Sequence, residues 1–333
     1  MTELSLGSAD ALFALIEKHG IDCDARQKGW LRADHCEAAA DASRKAAQKW
    51  NRYGAAFEFV DCAGVRAISG TDRYVSGTVA KSGGAIHPMS LVRGLARVAE
   101  EAGAQIFIHS RVASMDPQGD RWILHVNGHR VTTNRVIHAT NGYTDNLNAK
   151  LKRSVLPLTP IQIATKPLGN NQIADLLPQG HTISDTRRLT MYCRREPGDR
   201  FVYGGIGYRK SGGTVGGFQW LMQDVAKVFP TLSEVDWEFR WSGQIALTSD
   251  HVPHFHEPAP GVSAGLGYNG RGVAMAVAMG KVLADHALGA EVGSLPFPVS
   301  PMKPTPFRET QVLGAGVAMS FLRWRDQKEA ARG

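Results

Sequence analysis

The chain has 333 residues, 43% of them hydrophobic, which is enough for two domains or one elaborate α/β domain with a full core. Its formal net charge is +7, but the 38 basic residues are scattered with no basic groove or aromatic ribonucleoprotein signature, so no nucleic acid is expected as a partner. No apolar run approaches the ~20 residues that span a bilayer, and the first residues lack the basic start and apolar core of a signal peptide, so a cytoplasmic protein with no membrane span is expected.

Cys23, Cys36, Cys62 and Cys193 show no C-x-x-C pairing and no metal-ligand rhythm. They fit a reducing compartment as buried or incidental thiols, and no metal is expected.

In chain order, residues 10–20 read as a short amphipathic helix, with Asp10 as N-cap, Leu12, Leu15 and Ile16 on one face, and Gly20 as the stop. Asp34 and Glu37 form a capping box for a second helix that runs through the alanines to about Tyr53. Residues 57–60 read as a strand. Gly83 and Gly84 then lie in a tight loop that ends at His87 and opens a helix, with Pro88 at its first position. Residues 105–108 read as a strand, and two further strands flank Asn127 and Gly128, a strong hairpin signal. A buried strand over 135–139 ends in the small-residue turn Thr140, Asn141, Gly142, where open α/β sheets place ligands. That strand is expected to present an exposed edge that favours strand-mediated association.

From Lys152 the texture changes. Residues 160–165, 188–194 and 201–205 alternate or carry aromatic and β-branched residues, and Gly198 with Asp199 punctuates the last two as a hairpin. Residues 217–229 read as a helix with Trp220, Leu221, Val225 and Val228 inward, ended by Pro230, and 235–241 as another strand. This block predicts an antiparallel sheet inserted between two halves of an α/β domain. A proline-rich tail over 296–306 precedes a final helix over 309–328.

Five glycines fall within residues 265–280, just before and inside a clean helical pattern that ends near Gly289. Glycine lets the backbone approach a ligand closely, and the free N–H groups of a helix start favour an anion or a carbonyl oxygen. Gly265, Gly267 and Gly270 also spell the dinucleotide fingerprint G-x-G-x-x-G. That fingerprint requires a second parallel strand after its helix, ending in an acidic residue. After Gly289 the chain offers Glu291 but no strand. The stretch is therefore a helix start aimed at a cofactor, not a self-sufficient dinucleotide unit.

Taken together in order, the blocks at 21–24, 69–74, 82–88, 136–141, 185–192, 240–243, 248–253 and 267–273 resemble the D-amino-acid oxidase superfamily of flavin-dependent oxidoreductases. The resemblance is strongest to its gamma-glutamylputrescine oxidoreductase-like branch and covers nearly the whole chain. Family members begin with a strand, a glycine turn, a helix and a second strand that bind the ADP half of FAD. No match to that unit occurs before Asp10, so the chain is read as a truncated or mis-started copy of a longer enzyme, or as a decayed relative.

The expected fold is mixed α/β (α+β): an incomplete FAD-binding Rossmann-like domain interleaved with an antiparallel-sheet substrate domain. Residues 1–150 would be a partial FAD-binding domain with helical and hairpin segments, and 151–243 the substrate-domain sheet. Residues 244–290 would return to the FAD-binding domain, and 291–333 would form a C-terminal extension with the final helix.

The resemblance implies FAD, held non-covalently. It implies that Gly267, Asn269, Gly270, Arg271, Gly272 and Val273 face the flavin N1/C2 carbonyl edge, where reduction leaves negative charge. Thr140, Asn141 and Gly142 would pass near the pyrophosphate, and Val112 would meet the adenine through its backbone. Gly83, Gly84 and His87 would open toward the substrate side, and Trp241 and Gly243 would shape the far face of the flavin. Tyr192 and Tyr268 would line an amine pocket. His87, Tyr192 and Tyr268 are thus candidate catalytic residues, with a helix cap and two core tyrosines as their plainer readings. The implied chemistry is hydride transfer from the amine-bearing carbon of a small-molecule amine to flavin N5, followed by imine hydrolysis. Oxygen or another acceptor would reoxidise the flavin. The substrate would be an amino acid or a gamma-glutamyl-polyamine-like amine. A non-catalytic remnant unable to hold FAD is the alternative.

Overall fold

The structure, a computed structural model, describes residues 1–210 and 212–330. Helices α1 (Thr2–Leu6) and α2 (Ser8–Lys18) lead into strand β1 (Trp30–Asp34). Leu12 and Ile16 set the buried face of α2, but the helix starts at Ser8 rather than after Asp10, because Gly7 O already accepts from Ala11 N at 2.9 Å. Helix α3 (Glu37–Asn51) is capped by Cys36, not Asp34. The Asp34 carboxylate is buried and taken up by Ser43 Oγ at 2.5 Å and Ser76 Oγ at 2.8 Å, so the predicted capping box does not form.

Strand β2 (Phe57–Asp61), helix α4 (Cys62–Ser69) and strand β3 (Ser76–Ala80) follow, with Asp61 capping α4 through Gly64 N at 2.8 Å. Helix α5 (Pro88–Glu101) opens on the predicted proline. Strands β4 (Val112–Gln118), β5 (Arg121–Val126) and β6 (His129–Thr133) form a meander, and β7 (Val136–His138) follows. The β5–β6 turn is Asn127–Gly128 with φ of +50° and +81°, the left-handed pair that this hairpin type needs.

Helix α6 (Ala149–Arg153) precedes the long strand β8 (Leu156–Thr165) and the short helix α7 (Asn170–Ile173). Then come strands β9 (Thr182–Asp185), β10 (Tyr192–Glu196), β11 (Arg200–Arg209) and β12 (Val215–Gly216), and helix α8 (Phe218–Val228). The chain closes with strands β13 (Trp237–Ser242), β14 (Ile245–Leu247), β15 (His254–Ala259) and β16 (Val262–Leu266), and helices α9 (Gly272–Ala287) and α10 (Arg308–Ala330).

Residues 105–108 also depart from the sequence reading. No strand among the described residues pairs with them, and Ile106, Phe107 and Ile108 are 46%, 73% and 76% exposed. Strand propensity is mostly a matter of packing against neighbours, and without a neighbour it orders nothing.

The chain divides into two units. The first holds Met1–Ile21, Pro88–Leu158 and Gln244–Val312. It contains a three-stranded sheet in the order β15-β16-β7, with β16 parallel to β7, and the antiparallel β4-β5-β6 meander. Helix α9 packs on β16 so closely that a Cβ on Gly265 would run into Met279. Phe255, Tyr268, Met275, Met279 and Leu283 are buried together there.

The second unit holds Asp22–His87, Thr159–Gly243 and the segment from Leu313 on. Its strands take the order β13-β8-β11-β10-β9-β1-β3-β2, antiparallel throughout except between β9 and β1. Alternation gives this sheet two unlike faces. Leu31, Ile161, Ile163, Ile183, Phe201 and Tyr203 point into a core that α4 and α8 close with Val65, Leu221 and Val225. The other face carries Trp30, Gln162, Ser184, Tyr192, Arg194 and Trp241, all half-buried except the exposed Trp241. The mixed α/β class is the one expected. No helix among the described residues is long and apolar enough to cross a membrane.

Candidate functional site

In the first unit, β16 ends at Leu266 and the chain turns through residues 267–270 before α9 begins. Gly267, Asn269 and Gly270 have φ of +77°, +52° and +85°, a conformation that glycine and asparagine take at least cost. Two asparagine side chains hold the turn. Asn141, itself at φ +43° after β7, accepts from Gly267 N at 3.0 Å. Asn269 accepts from Thr248 N at 2.9 Å and donates to Thr248 Oγ1 at 3.0 Å.

Tyr268 is tied into the same turn. Its hydroxyl donates to Gly265 O at 3.2 Å, and burial among apolar side chains pushes the phenol up to about 12. The geometry gives Tyr268 a loop-stiffening role.

Helix α9 starts without a side-chain cap from Arg271. The space beside the first turn is open: a Cβ on Gly270 would meet nothing nearer than Ile245 Cδ1 at 4.0 Å, and one on Gly272 nothing nearer than Tyr268 Cδ2 at 3.8 Å. A 16-residue helix that begins this way leaves the amides of Gly272, Val273 and Ala274 without a side-chain acceptor at its positive end. Beside it, Thr140 Oγ1 bonds Thr144 Oγ1 at 2.8 Å, and Gly142 packs so close to Gln244 that a Cβ would lie 2.6 Å from its carbonyl oxygen. The structure thus joins 140–142 to 267–273 through Asn141. Val112, at the start of β4, pairs with Val126, and its neighbour Arg111 bonds Asp145, shortly after the 140–142 turn, at 2.7 Å.

The other predicted residues belong to the second unit. Gly83 and Gly84 lie in the turn after β3, where Gly83 N donates to Ala80 O at 3.1 Å and a Cβ on Gly83 would press on Trp30. His87 is exposed, and its backbone N donates to Cys23 O at 2.7 Å. Gly243 N donates to Pro160 O at 3.1 Å.

Tyr192 and Trp241 fall on one row of the sheet. Ser184, Tyr192, Gly204, Gln162 and Trp241 are successive partners across β9, β10, β11, β8 and β13. Gly204 lets the Tyr192 ring lie over it, since a Cβ there would collide with the ring. Burial raises the Tyr192 phenol above its ordinary range. Arg194, two residues on, stands on the same face, with Nη1 3.4 Å from Gln162 Oε1 and Nε donating to Glu196 at 2.5 Å. Arg194 and Gln162 are absent from the sequence prediction. The Tyr-x-Arg spacing on a strand is the signal that places Arg194 with Tyr192.

The second unit also buries an ion cluster that sequence reading missed. Arg187 donates to both oxygens of Asp224 at 2.7 and 2.8 Å and, through Nε, to Asp185, while the Tyr203 hydroxyl donates to Asp224 at 2.7 Å. Burial pushes the Asp185 carboxyl up to about 6, against the pull of Arg187 and of the Met191 N–H. At Asp224 burial also raises, but the Arg187 hydrogen bonds and charge outweigh it and leave the carboxyl below its ordinary value. A separate cavity of about 440 Å³, lined by Tyr208, Trp220 and Arg323 among others, contains none of the predicted residues.

Residues 1–286 match the family described as DAO, FAD dependent oxidoreductase. The "Probable oxidoreductase OrdL" of Rhizobium meliloti strain 1021 is 28% identical over 275 residues, covering 82% of this chain and 64% of that protein. The gamma-glutamylputrescine oxidoreductase of Escherichia coli strain K12 is 28% identical over 283 residues, with the same two coverages, 82% and 64%. The chain therefore spans 64% of the length of these two relatives. Among solved structures, glycine oxidase from Geobacillus kaustophilus is similar with a TM-score of 0.76 at 20% identity, covering 91% of this chain and 82% of that one, a likeness of fold. Since the family match runs from the first residue almost to the end of α9, the chain belongs to the DAO family of FAD-dependent oxidoreductases.

Proposed function

We propose that this chain serves the oxidation of a small amine or amino acid, with FAD as its non-covalent cofactor. The observation that carries the reading is the uncapped start of α9, held in place by Asn141 and Asn269 with open space before Gly270 and Gly272. His138, buried on β7 two residues before Thr140, adds an Nε2 atom with no protein partner. These residues fit the isoalloxazine end of FAD. When bound, FAD supplies a two-electron acceptor for the hydride on the amine-bearing carbon.

The chain's own contribution is electrostatic and positional. The amides of Gly272, Val273 and Ala274, with the positive end of the α9 dipole, stabilise negative charge at a carbonyl edge. They do so without reorganising, because the asparagine bonds already fix the turn. On the sheet face of the second unit, the Arg194 guanidinium offers a fork for a substrate carboxylate, and Tyr192 and Trp241 offer flat surfaces to its carbon chain. A glycine oxidase and a gamma-glutamylputrescine oxidoreductase among the relatives support a substrate that carries both an amine and a carboxylate. The imine product would hydrolyse in water, and oxygen or another small oxidant is the proposed electron acceptor.

The test is to mix the purified chain with excess FAD, separate the two by gel filtration, and add glycine or gamma-glutamylputrescine without oxygen. Flavin that co-elutes and is bleached by an amine is the expected result. A folded chain that emerges colourless would overturn the proposal and favour a non-catalytic role.

A further inference from the structure

Two adjacent side chains and a third from the far end of the chain meet inside the second unit. His35 follows β1, Cys36 caps α3, and Glu329 lies near the end of α10. His35 Nε2 is 3.6 Å from Cys36 Sγ and 3.7 Å from Glu329 Oε2, and one atom from each of the three residues falls within 4.8 Å of the other two. His35 and Cys36 are buried and Glu329 is half-buried. We propose that this trio is a zinc-type metal site. Its protein ligands are His35 Nε2, Cys36 Sγ and one Glu329 carboxylate oxygen, with a fourth position open to an outside donor.

The spacing suits the ion. Tetrahedral zinc holds sulfur at about 2.3 Å and imidazole nitrogen at about 2.0–2.1 Å, which sets those two atoms roughly 3.5 Å apart. The 3.7 Å between His35 Nε2 and Glu329 Oε2 exceeds the tetrahedral value by a few tenths of an ångström, and the Cys36 Sγ–carboxylate separation, within 4.8 Å, closes toward about 3.5 Å when the ion binds. The mixed sulfur, nitrogen and oxygen set suits zinc or cobalt and is wrong for magnesium or calcium, which take oxygen alone.

The hydrogen bonds around His35 point the same way. The Thr186 oxygen accepts from His35 N at 3.2 Å and lies 2.8 Å from the ring Nδ1, and in the tautomer the site requires the hydroxyl donates to Ala33 O at 3.4 Å while Nδ1 donates to Thr186. A proton on Nδ1 leaves Nε2 with a bare lone pair turned toward a thiol and a carboxylate. Two acceptors, Nε2 and a Glu329 oxygen, then face each other, and a cation between them resolves the conflict. Thr186 is the positioning residue that sets the ring tautomer.

The charge balance also fits. Arg188 donates to Glu329 at 2.6 and 2.9 Å and to Asp326 at 3.0 Å. With a Cys36 thiolate, the carboxylates of Glu329 and Asp326 and one guanidinium sum to −2, matching a divalent ion. Arg325 reaches Glu329 only at 4.0 Å and is about half exposed. Cysteine spacing alone shows no such site, because two ligands are adjacent and the third comes from the far end of the chain.

The test is titration of the full, reduced chain with Co²⁺, followed by absorption, and with Zn²⁺, followed by thermal unfolding. One equivalent of cobalt should give a thiolate-to-metal charge-transfer band in the near ultraviolet together with tetrahedral visible bands, and zinc should raise Tm. Cys36→Ser should abolish the near-ultraviolet band, and Cys62→Ser, at an exposed thiol, should keep it. Thr186→Val should weaken cobalt binding about 10–100-fold. If Cys36→Ser does not fold, Glu329→Gln gives the same reading as a loss of cobalt affinity. No charge-transfer band in the parent chain would overturn the proposal, and so would a band that survives in folded Cys36→Ser or an affinity unmoved by Glu329→Gln.

Discussion

Asn141 and Asn269 show how much can rest on two amides. Each stands at positive φ and spends its side-chain oxygen on a backbone N–H of a neighbouring segment. Asn141→Leu leaves the buried Gly267 N–H without its acceptor. We expect a loss of about 1–3 kcal/mol in urea unfolding, together with weaker FAD uptake. A variant as stable as the parent would show that the bond contributes nothing. Sequence reading picks out both asparagines as turn residues, because their tolerance of left-handed backbone is local. It cannot say that Asn141 bonds Gly267, 126 positions away. Asp185 supplies a second residue-scale prediction. Its carboxyl is raised from 3.8 to about 6 in the folded chain, so between those values the folded state holds the proton more tightly than the unfolded one. The contribution of Asp185 is fully present below about pH 3.8 and is lost as pH rises toward 6. The contribution of Asp224 has the opposite sign, being present above 3.8 and lost as pH falls below it. Asp185→Asn should therefore flatten a stability slope of up to about 1.4 kcal/mol per pH unit in the upper window. An unchanged slope in denaturation curves across that window would count against the assignment.

At the scale of elements, the sheet of the second unit makes its proposed substrate face and its core from alternate residues of the same strands. β11 contributes Phe201 and Tyr203 to the core and Gly204 to the row beneath Tyr192. Gly204→Ala forces the ring of Tyr192 away, at a cost of about 1–3 kcal/mol in stability. In an amine-dependent assay it should raise KM more than it lowers kcat, because on the proposed function the row positions substrate rather than reacting with it. Equal losses in both parameters would assign Tyr192 to the chemistry. The alternation of β10 and β11 can be read in the sequence. The register that aligns Tyr192 with Gln162 and Trp241 cannot, since it depends on how four strands slide against one another.

At the scale of the whole molecule, the first unit has, among the described residues, a strand edge with no partner strand. Strand β7 ends the order β15-β16-β7, and its Ile137 is 42% exposed. An apolar edge of this kind invites pairing with another chain. Ile137→Lys should raise the concentration at which the protein associates, read by light scattering, with little change in Tm. Association that is unaffected by the lysine would place the sticky surface elsewhere, with residues 106–108 as the next candidates.

The family, the mixed α/β class, the Pro88 helix start and the Asn127–Gly128 hairpin were determined by the sequence alone. Each rests on ordered motifs or on backbone preferences that act within a few residues. Only the tertiary structure decided that Asp34 serves Ser43 and Ser76 instead of a helix, and that residues 105–108 stay unpaired. It alone brought Arg187 to Asp224 and His35 to Glu329. Those outcomes depend on which distant groups share a buried site. There the cost of leaving a polar group or a strand edge without a partner outweighs local preference.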